Sequence, residues 1–392
     1  MPKVGLVLEG GGARGAYHVG VYKAYLEHGY KFDGFVGTSI GAINAAAFAC
    51  NEFEETHRLW QNISLMQLFD EDIAEVLEWE SAKSGGRLGN RMKTALSKMI
   101  ADNGISMAKM KEFVSEYIDE DKVRNSGYDV GLVTYSLSDR KPHELFIEDI
   151  AEGKLMDYLM ASCNLPVFKT QVIDDKKFID GFVYDNWPVN MLINKNYDEI
   201  IAVRTNSRGA IRAYDKNATH VTVISPSAVL TNSLAFSSQN SATDIQIGYF
   251  DGLRAICGLK GQYYYLRNVD MSAIIQNLIT LDYEALTNLP AFVKRNNQKP
   301  GNRLLLEYGI PELAKHFKLE KNYTYEDVLT VIFEYAAYKR GISRYKIYEF
   351  NEFIKLIYET NKPSHDTTFI EWFTMSSDRE DFIEILVKTL LG

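Results

Sequence analysis

Short apolar runs alternate with glycine-containing turns and helical patterns over the first 50 residues. Val4–Leu8 is a continuous apolar run of the kind found in buried parallel strands, and Phe35–Val36 is a second, shorter one. A helical pattern follows each turn, first over about Ala16–His28 with Gly29 as its C-cap and then over Ala42–Cys50, which is apolar on all sides. This repeated order of strand, turn and helix predicts a parallel sheet with helices on both faces.

The pattern changes twice further along the chain. Residues 53–125 are mostly helical in pattern. Strand patterns then return at Asp129–Leu137, His143–Ile147, Gln171–Ile173, Phe178–Ile179, Glu199–Val203 and His220–Ile224, with a hairpin turn at Asp174–Lys177. A helical pattern covers about Ser241–Cys257, and long helical patterns rich in Tyr and Phe dominate after about Asp270. We therefore predict an α/β fold, a three-layer α/β/α catalytic domain with a mostly parallel central sheet over residues 1–270, and a helical accessory region over residues 271–392.

Composition narrows the class of protein. The 392 residues are 46% hydrophobic and carry a net charge of −9, which argues against a general nucleic-acid binder. The three cysteines, Cys50, Cys163 and Cys257, give neither a disulfide framework nor a metal-binding spacing, so we expect a reducing, cytoplasmic setting. No signal-peptide pattern is visible, and the longest nearly uncharged stretch, Phe35–Cys50, is too short to span a bilayer. The sequence leaves the oligomeric state open.

The second turn has the pattern Gly37-x-Ser39-x-Gly41 between a strand and a helix. In that setting a serine sits on a sharp turn, its hydroxyl is exposed at the end of the sheet, and the following helix directs its positive end toward it. This pattern is typical of a nucleophile elbow. The alternative is an ordinary turn whose serine caps the helix.

The first turn, Gly10–Gly15, contains Gly10, Gly11, Gly12, Ala13, Arg14 and Gly15. Such a run lets several main-chain amides converge on one anion, either a phosphate or an oxyanion. It also fits the dinucleotide pattern GxGxxG, with Asp33 near the spacing of a ribose-binding acid. Asp33 precedes the second strand, however, and the next turn supplies Ser39, so the pair of turns favours acyl transfer. Arg14 either binds a lipid phosphate or pairs with an acid on the surface.

The general base cannot be chosen from spacing alone. Of the seven histidines, His220 is the best candidate for a catalytic triad, although a packed strand histidine explains it equally simply. Three Asp-Gly pairs offer carboxylates, and each is also a common turn. They are Asp33-Gly34, Asp180-Gly181 and Asp251-Gly252.

Taken together, these motifs resemble the patatin-like phospholipase family of lipid acyl hydrolases. The glycine-rich loop Gly10–Gly15, the elbow Gly37–Gly41 and the downstream Asp180-Gly181 match the family's three motifs, and the segments Ala161–Pro166 and Phe178–Val189 are also similar to it. The resemblance covers roughly residues 4–268.

The resemblance implies a Ser–Asp dyad without a catalytic histidine. Ser39 would be the nucleophile, Asp180 the general base, and the amides of Gly11 and Gly12 with those of Ala13 or Arg14 the oxyanion hole. Phe182 is a departure, because the family has Gly or Ala at that position. A bulky residue there narrows the acyl entrance or shifts the turn that carries the base.

A lipid hydrolase must meet its substrate at an interface. Residues 83–98 contain five basic residues and no acid, and Leu88, Met92, Leu96 and Met99 share one helical face. This composition predicts either a basic amphipathic helix that contacts a membrane peripherally, hinged at Ser84–Gly86, or an ordinary helix packed on the core. The basic residues are Lys83, Arg87, Arg91, Lys93 and Lys98. The aromatic residues of the C-terminal region, such as Tyr335, Phe350 and Phe353, favour core packing over a lipid surface.

The sequence thus predicts an esterase that hydrolyses phospholipids or related acyl lipids through an acyl-Ser39 intermediate. No metal or organic cofactor is expected, because no cluster of ligands is visible. Two alternatives remain, a dinucleotide-binding oxidoreductase that uses Gly10–Gly15 and an inactive scaffold with the same fold.

Overall fold

A computed structural model describes residues 2–50, 53–81, 104–281, 301–360 and 377–391. The chain divides into two compact units, Met1–Ile256 and Cys257–Gly392. The predicted basic helix at 83–98 and its hinge at Ser84–Gly86 lie outside the described residues. Within the described ranges, no helix combines the length and apolar composition that crossing a membrane requires.

An eight-stranded mixed sheet forms the centre of the first unit. Its strands are β1 (Val4–Leu8), β2 (Gly34–Thr38), β3 (Asp129–Ser136), β4 (Lys141–Phe146), β5 (Gln171–Ile173), β6 (Lys176–Asp180), β7 (Glu199–Val203) and β8 (His220–Ile224). They lie in the order β5-β6-β3-β2-β1-β7-β8, with β4 also paired to β3. The pairs among β3, β2, β1, β7 and β8 are parallel, whereas β4, β5 and β6 join by antiparallel pairing. The prediction of a mostly parallel sheet is confirmed.

Helices cover both faces of this sheet. They are α1 (Ala16–Glu27), α2 (Ile40–Cys50), α3 (Phe53–Asn62), α4 (Leu65–Leu68), α5 (Glu71–Ser81), α6 (Ala108–Ser115), α7 (Glu120–Asn125), α8 (Leu155–Ser162), α9 (Val189–Asn194) and α10 (Ser238–Cys257). Successive strand residues point to opposite faces. Val7 and Val36 pack with Leu192 of α9 on one face, while Phe35 contacts Tyr22 of α1 and Phe48 of α2 on the other. The three-layer prediction is therefore confirmed.

The second unit is mainly helical. It contains α11 (Ser272–Thr280), α12 (Gly301–Leu304), a π-helical turn (Leu305–Gly309), α13 (Ile310–His316), α14 (Tyr325–Lys339), α15 (Phe350–Glu359) and α16 (Ser377–Leu391). Tyr335, Phe350 and Phe353 are buried in its core, as the sequence predicts. Two short strands, β9 (Tyr265–Arg267) and β10 (Ile347–Glu349), pair in parallel and were not predicted from the sequence. Strands of three residues carry too little periodicity to be recognised.

One buried amide joins the two turns of the first 50 residues. Asn44 is fully buried in the otherwise apolar helix α2, where its side-chain amide donates to the carbonyl oxygen of Gly15 at 2.9 Å. Its Oδ1 accepts from Nε1 of the buried Trp60, also at 2.9 Å. Because Gly15 ends the glycine-rich loop and α2 follows the serine turn, Asn44 fixes one turn relative to the other.

We expect Asn44→Ala to lower the free energy of unfolding by about 2–4 kcal/mol, because it leaves the buried indole N–H of Trp60 unpaired and removes the hydrogen bond to the Gly15 carbonyl oxygen. The matched control is Asn62→Ala at the exposed end of α3. Urea denaturation followed by tryptophan fluorescence measures both. Equal stability for the two variants would contradict the role of Asn44.

Candidate active site

Ser39 lies on a strained turn between β2 and α2. Its backbone is left-handed, with φ of 58°, although only a few per cent of non-glycine residues adopt this conformation. Gly37 and Gly41 make the turn possible, because a Cβ atom on Gly37 would overlap the main chain of Gly41, and one on Gly41 would overlap the carbonyl oxygen of Leu8. The pattern that predicted an elbow thus reflects a real steric demand.

Asp180 ends β6 and meets Ser39 because of the way the strands pair. Along one side of β3, Val133 pairs with Thr38 of β2, and the next residue, Thr134, pairs with Asp180 of β6. Asp180 therefore lies beside the residue that follows Thr38. The Ser39 hydroxyl donates a hydrogen bond of 2.8 Å to Oδ2 of Asp180, and the Phe182 amide donates one of 2.9 Å to Oδ1.

The environment of Asp180 makes it a stronger base than an ordinary carboxylate. Its side chain is fully buried. Burial raises the pKa of Asp180 to about 7, while the hydrogen bonds from Phe182 and Ser39 act to lower that pKa. A carboxylate with a pKa near neutrality is suited to accept a proton from a hydroxyl. Phe182 is half-buried, and its own main-chain amide binds the carboxylate.

The glycine-rich loop Gly10–Gly15 lies next to the serine turn. A Cβ atom on Gly10 would come within 3.2 Å of the Thr38 carbonyl oxygen, and one on Gly15 within 2.6 Å of the Ile40 side chain. The loop ends in a short 3-10 turn at Gly12–Gly15. The glycine-rich loop and the serine turn are therefore neighbours in the structure.

Only part of the loop offers free amides. The Gly10 amide donates to Asn186, the Ala13 amide to Ser233 and the Arg14 amide to Gly11, in each case to a main-chain oxygen. Within the part of the chain that the structure describes, the amides of Gly11 and Gly12 donate no hydrogen bond. This narrows the expected oxyanion hole, because Ala13 and Arg14 are already engaged.

Arg14 supports the loop rather than extending from it. Its Nε donates to the carbonyl oxygen of Thr231 at 2.9 Å, and its Nη1 to those of Thr205 and Asn206 at 3.3 and 3.1 Å. Burial lowers the pKa of Arg14, while the nearby Asp244 and Glu9 raise it. Among the described residues, the Arg14 guanidinium thus binds main-chain carbonyl oxygens and forms no ion pair.

Glu9 fixes the loop from the sheet side. This fully buried carboxylate follows β1 and accepts hydrogen bonds from the Arg204 guanidinium at 2.9 and 3.2 Å. It also accepts from the main-chain amides of Thr205 and Asn206 at 2.5 and 3.0 Å. Thr205 and Ser207 then donate to the Gly10 carbonyl oxygen. The segment after β7 therefore holds the glycine-rich loop in place.

Three other candidate residues lie away from this site. His220 begins β8 and Asp33 precedes β2, so both are at the amino ends of parallel strands, whereas the serine and glycine turns follow the carboxyl ends of β2 and β1. Asp33 accepts a hydrogen bond from the Val4 amide instead of facing Gly10–Gly15. Asp251 accepts from the Tyr17 hydroxyl and the Ser227 amide. The dinucleotide alternative thus loses Asp33 as its ribose-binding acid, and the triad alternative loses His220.

The sequence analysis gave no individual role to the segment 162–164. Ser162 accepts a hydrogen bond from the Ser39 amide, and the Asn164 carbonyl oxygen accepts one from the Asp180 amide, both 2.9 Å long. The buried Cys163 lies between them in the chain, and burial raises the pKa of its thiol. The only signal in the sequence was that Ala161–Pro166 resembles a known family.

Comparisons with known proteins point to the same part of the chain. The family model described as patatin-like phospholipase matches residues 6–193. A protein of Aspergillus terreus named lysophospholipase nte1 is 28% identical over 208 residues, which is 52% of this chain and 12% of that protein. An uncharacterised NTE family protein of Mycobacterium bovis is 59% identical over 46 residues, covering 12% of this chain and 8% of that protein. This chain therefore spans about an eighth or less of the length of these curated relatives.

Among solved structures, VipD from Legionella pneumophila aligns with a TM-score of 0.40 and 11% identity, covering 100% of this chain and 92% of that one. The matched family segment begins inside β1, contains both turns and Asp180, and ends within α9. Residues 6–193 of this chain thus match the patatin-like phospholipase family.

Proposed function

We propose that this domain hydrolyses carboxylic esters of phospholipids or related acyl lipids, with Ser39 as nucleophile and Asp180 as general base. The observation that carries the proposal is the 2.8 Å hydrogen bond from the Ser39 hydroxyl to the buried Asp180 carboxylate. It lies inside the segment that matches the family, beside a loop with two unengaged amides. A nucleophile, a base and oxyanion donors are the three parts that acyl transfer needs.

In the first half of the reaction, Asp180 accepts the hydroxyl proton while Ser39 Oγ attacks the ester carbonyl carbon. The carbonyl oxygen becomes negative and accepts hydrogen bonds from the amides of Gly11 and Gly12, assisted by the N-terminus of α2. The tetrahedral intermediate collapses when the C–O bond to the alcohol breaks. Protonated Asp180 then gives its proton to the leaving alkoxide, which departs as the lysolipid or another alcohol.

In the second half of the reaction, water hydrolyses the acyl-Ser39 intermediate. Asp180, ionised again, accepts a proton from a water molecule that attacks the acyl-Ser39 carbonyl. The oxyanion again accepts hydrogen bonds from the amides of Gly11 and Gly12. Breaking the bond to Oγ releases the fatty acid, and the proton on Asp180 returns to Ser39. In both halves of this scheme, Asp180 accepts a proton and then gives it up again.

The family and its members support a lipid substrate. The Aspergillus relatives are named lysophospholipases, which favours a phospholipid-derived ester.

We further propose that the enzyme meets this lipid by peripheral contact with an anionic membrane. The segment after Asp180 pairs with the segment after β7 through hydrogen bonds of 2.8 and 2.7 Å, in which Ala210 bonds to Phe182 and Asn186.

These two paired segments carry an exposed, cationic and apolar surface. Val183 is 39% exposed and Ile211 is 43% exposed. Arg208 is exposed and forms no ion pair with the described part of the chain. Exposed apolar side chains beside an unpaired cation suit the surface of an anionic bilayer. We name Val183, Arg208 and Ile211 the rim.

We expect Ser39→Ala and Asp180→Asn each to reduce turnover of a short soluble ester by at least about a thousandfold, because either change removes a group needed in the transition state. Spectrophotometric assay of folded protein measures this. His220→Ala is the control and should stay within about threefold of wild type, since His220 lies at the other edge of the sheet. Wild-type rates in either dyad variant would refute the dyad, and an inactive wild-type protein would favour the scaffold alternative.

We expect kcat/KM for that ester to rise with pH to a plateau, with a midpoint near 7, because Asp180 must be ionised to accept the proton. Below the midpoint the rate should fall about tenfold per pH unit. Since folding raises the pKa of Asp180, its contribution to stability is full at acidic pH and is lost as the pH rises through about 7. Asp180→Asn should therefore be at least as stable as wild type at pH 8. A flat rate profile between pH 5 and 8 would contradict the assignment.

We expect Arg208→Glu to weaken binding to vesicles of phosphatidylcholine with phosphatidylglycerol by at least about fivefold, because it reverses a charge in the rim. Hydrolysis of the short soluble ester should be unchanged. Lys31→Glu makes a similar charge change at the other end of the parallel strands and is the matched control. Sedimentation of the vesicles measures binding. Equal losses in the two variants would show a general effect of net charge and would rule out the rim.

A further inference from the structure

The segment 162–164 contacts the main chain of both proposed catalytic residues. Ser162 is the last residue of α8 and is fully buried. Its hydroxyl accepts the Ser39 amide hydrogen at 2.9 Å and donates its own hydrogen to the Val133 carbonyl oxygen at 2.7 Å. One hydroxyl therefore joins the strained serine turn to β3.

Asn164 makes the corresponding main-chain contact to Asp180, the proposed base. The carbonyl oxygen of Asn164 accepts the Asp180 amide hydrogen at 2.9 Å. The Asn164 side chain is buried, and its amide donates to the carbonyl oxygen of Phe178 at 3.0 Å. Asn164 is thus held on β6 two residues before Asp180 while its main chain binds Asp180 itself.

The two contacts are joined by a short and rigid connection. Only Cys163 separates Ser162 from Asn164, and its amide is bonded back to the Leu159 and Met160 carbonyl oxygens at the end of α8. The Asn164 amide is bonded to Ala161. The positions of Ser162 and Asn164 relative to each other are therefore fixed by α8.

We propose that Ser162 and Asn164 are positioning residues that set the distance between the Ser39 hydroxyl and the Asp180 carboxylate. The inference rests on the proposed function of that pair. Ser39 is held in an unfavourable left-handed conformation, so it needs a bond that favours this conformation. Ser162 supplies that bond through the Ser39 amide. Neither residue touches the substrate in this account.

The test compares the loss of two buried hydroxyls. Ser162→Ala removes the bridge, whereas Ser136→Ala removes an equally buried serine hydroxyl that accepts the Asp139 amide hydrogen at 3.0 Å and does not contact Ser39 or Asp180. For a short soluble ester, Ser162→Ala should lower kcat about 10- to 100-fold with KM within about threefold, because a misplaced nucleophile affects the transition state more than binding. Ser136→Ala should stay within about threefold in both constants. Ser162→Thr, which keeps a hydroxyl, should recover most of the lost rate.

A second variant addresses the base. Asn164→Ala should shift the midpoint of the kcat/KM pH profile by at least about half a pH unit, because the carboxylate is held differently, whereas Ser162→Ala should leave the midpoint in place. Thermal unfolding shows that each variant is folded before its rates are compared. Equal kcat losses in Ser162→Ala and Ser136→Ala, or unchanged rates and midpoints in both positioning variants, would overturn the proposal.

Amide hydrogen exchange separates this proposal from the proposed function. In peptides covering residues 35–43, Ser162→Ala should speed exchange of the Ser39 amide at least about tenfold, whereas Ser136→Ala should not. This readout does not depend on turnover. If the wild-type protein hydrolyses no ester but the exchange difference is present, the positioning contact stands and the proposed function fails. If exchange is unchanged in Ser162→Ala, the positioning contact itself is refuted.

Discussion

The site depends on a change of partner along one side of β3. β2 pairs with β3 as far as Val133, and β6 takes over at Thr134, so two chain segments that run in opposite directions end side by side. The turn after Thr38 and the end of β6 are thereby forced together. A Cβ atom on Gly181 would come within 3.0 Å of the Thr38 side chain, which shows how closely the two ends approach. This pairing brings the Ser39 hydroxyl within hydrogen-bond distance of Asp180.

The arrangement trades stability for reactivity. The buried Asp180 carboxylate accepts two hydrogen bonds from the described part of the chain, and Ser39 is held in an unfavourable backbone conformation. Both features cost free energy in the folded state, and both are useful if Asp180 accepts a proton and Ser39 attacks an ester. Hydrogen bonds from the surrounding residues hold the two turns. Glu9, Arg14 and Asn44 hold the glycine-rich loop, and Ser162 holds the serine turn.

The sequence predicts the first strands and helices well, but it does not predict which distant residues meet Ser39 and Arg14. β1, β2, α1 and α2 were recognisable because short apolar runs, glycine turns and helical patterns alternate within the first 50 residues. The closeness of Asp180 to Ser39 was not derivable from spacing, since it depends on strand pairing between residues far apart in the chain, and only the resemblance to a family selected it among three Asp-Gly pairs. Arg14 was misjudged because its partners, Thr205 and Thr231, follow it by about two hundred residues. The short strands β9 and β10 leave almost no pattern.

Trapping the covalent intermediate tests the central claim most directly. The full-length protein is mixed with a short activated ester, quenched in acid within milliseconds, digested and analysed by mass spectrometry. If Ser39 attacks the ester as Asp180 takes its proton, the peptide that contains residue 39 gains the mass of the acyl group, and the same peptide stays unmodified when residue 180 is asparagine. An acyl group on a different residue, or full acylation of Ser39 without the carboxylate, would contradict the account.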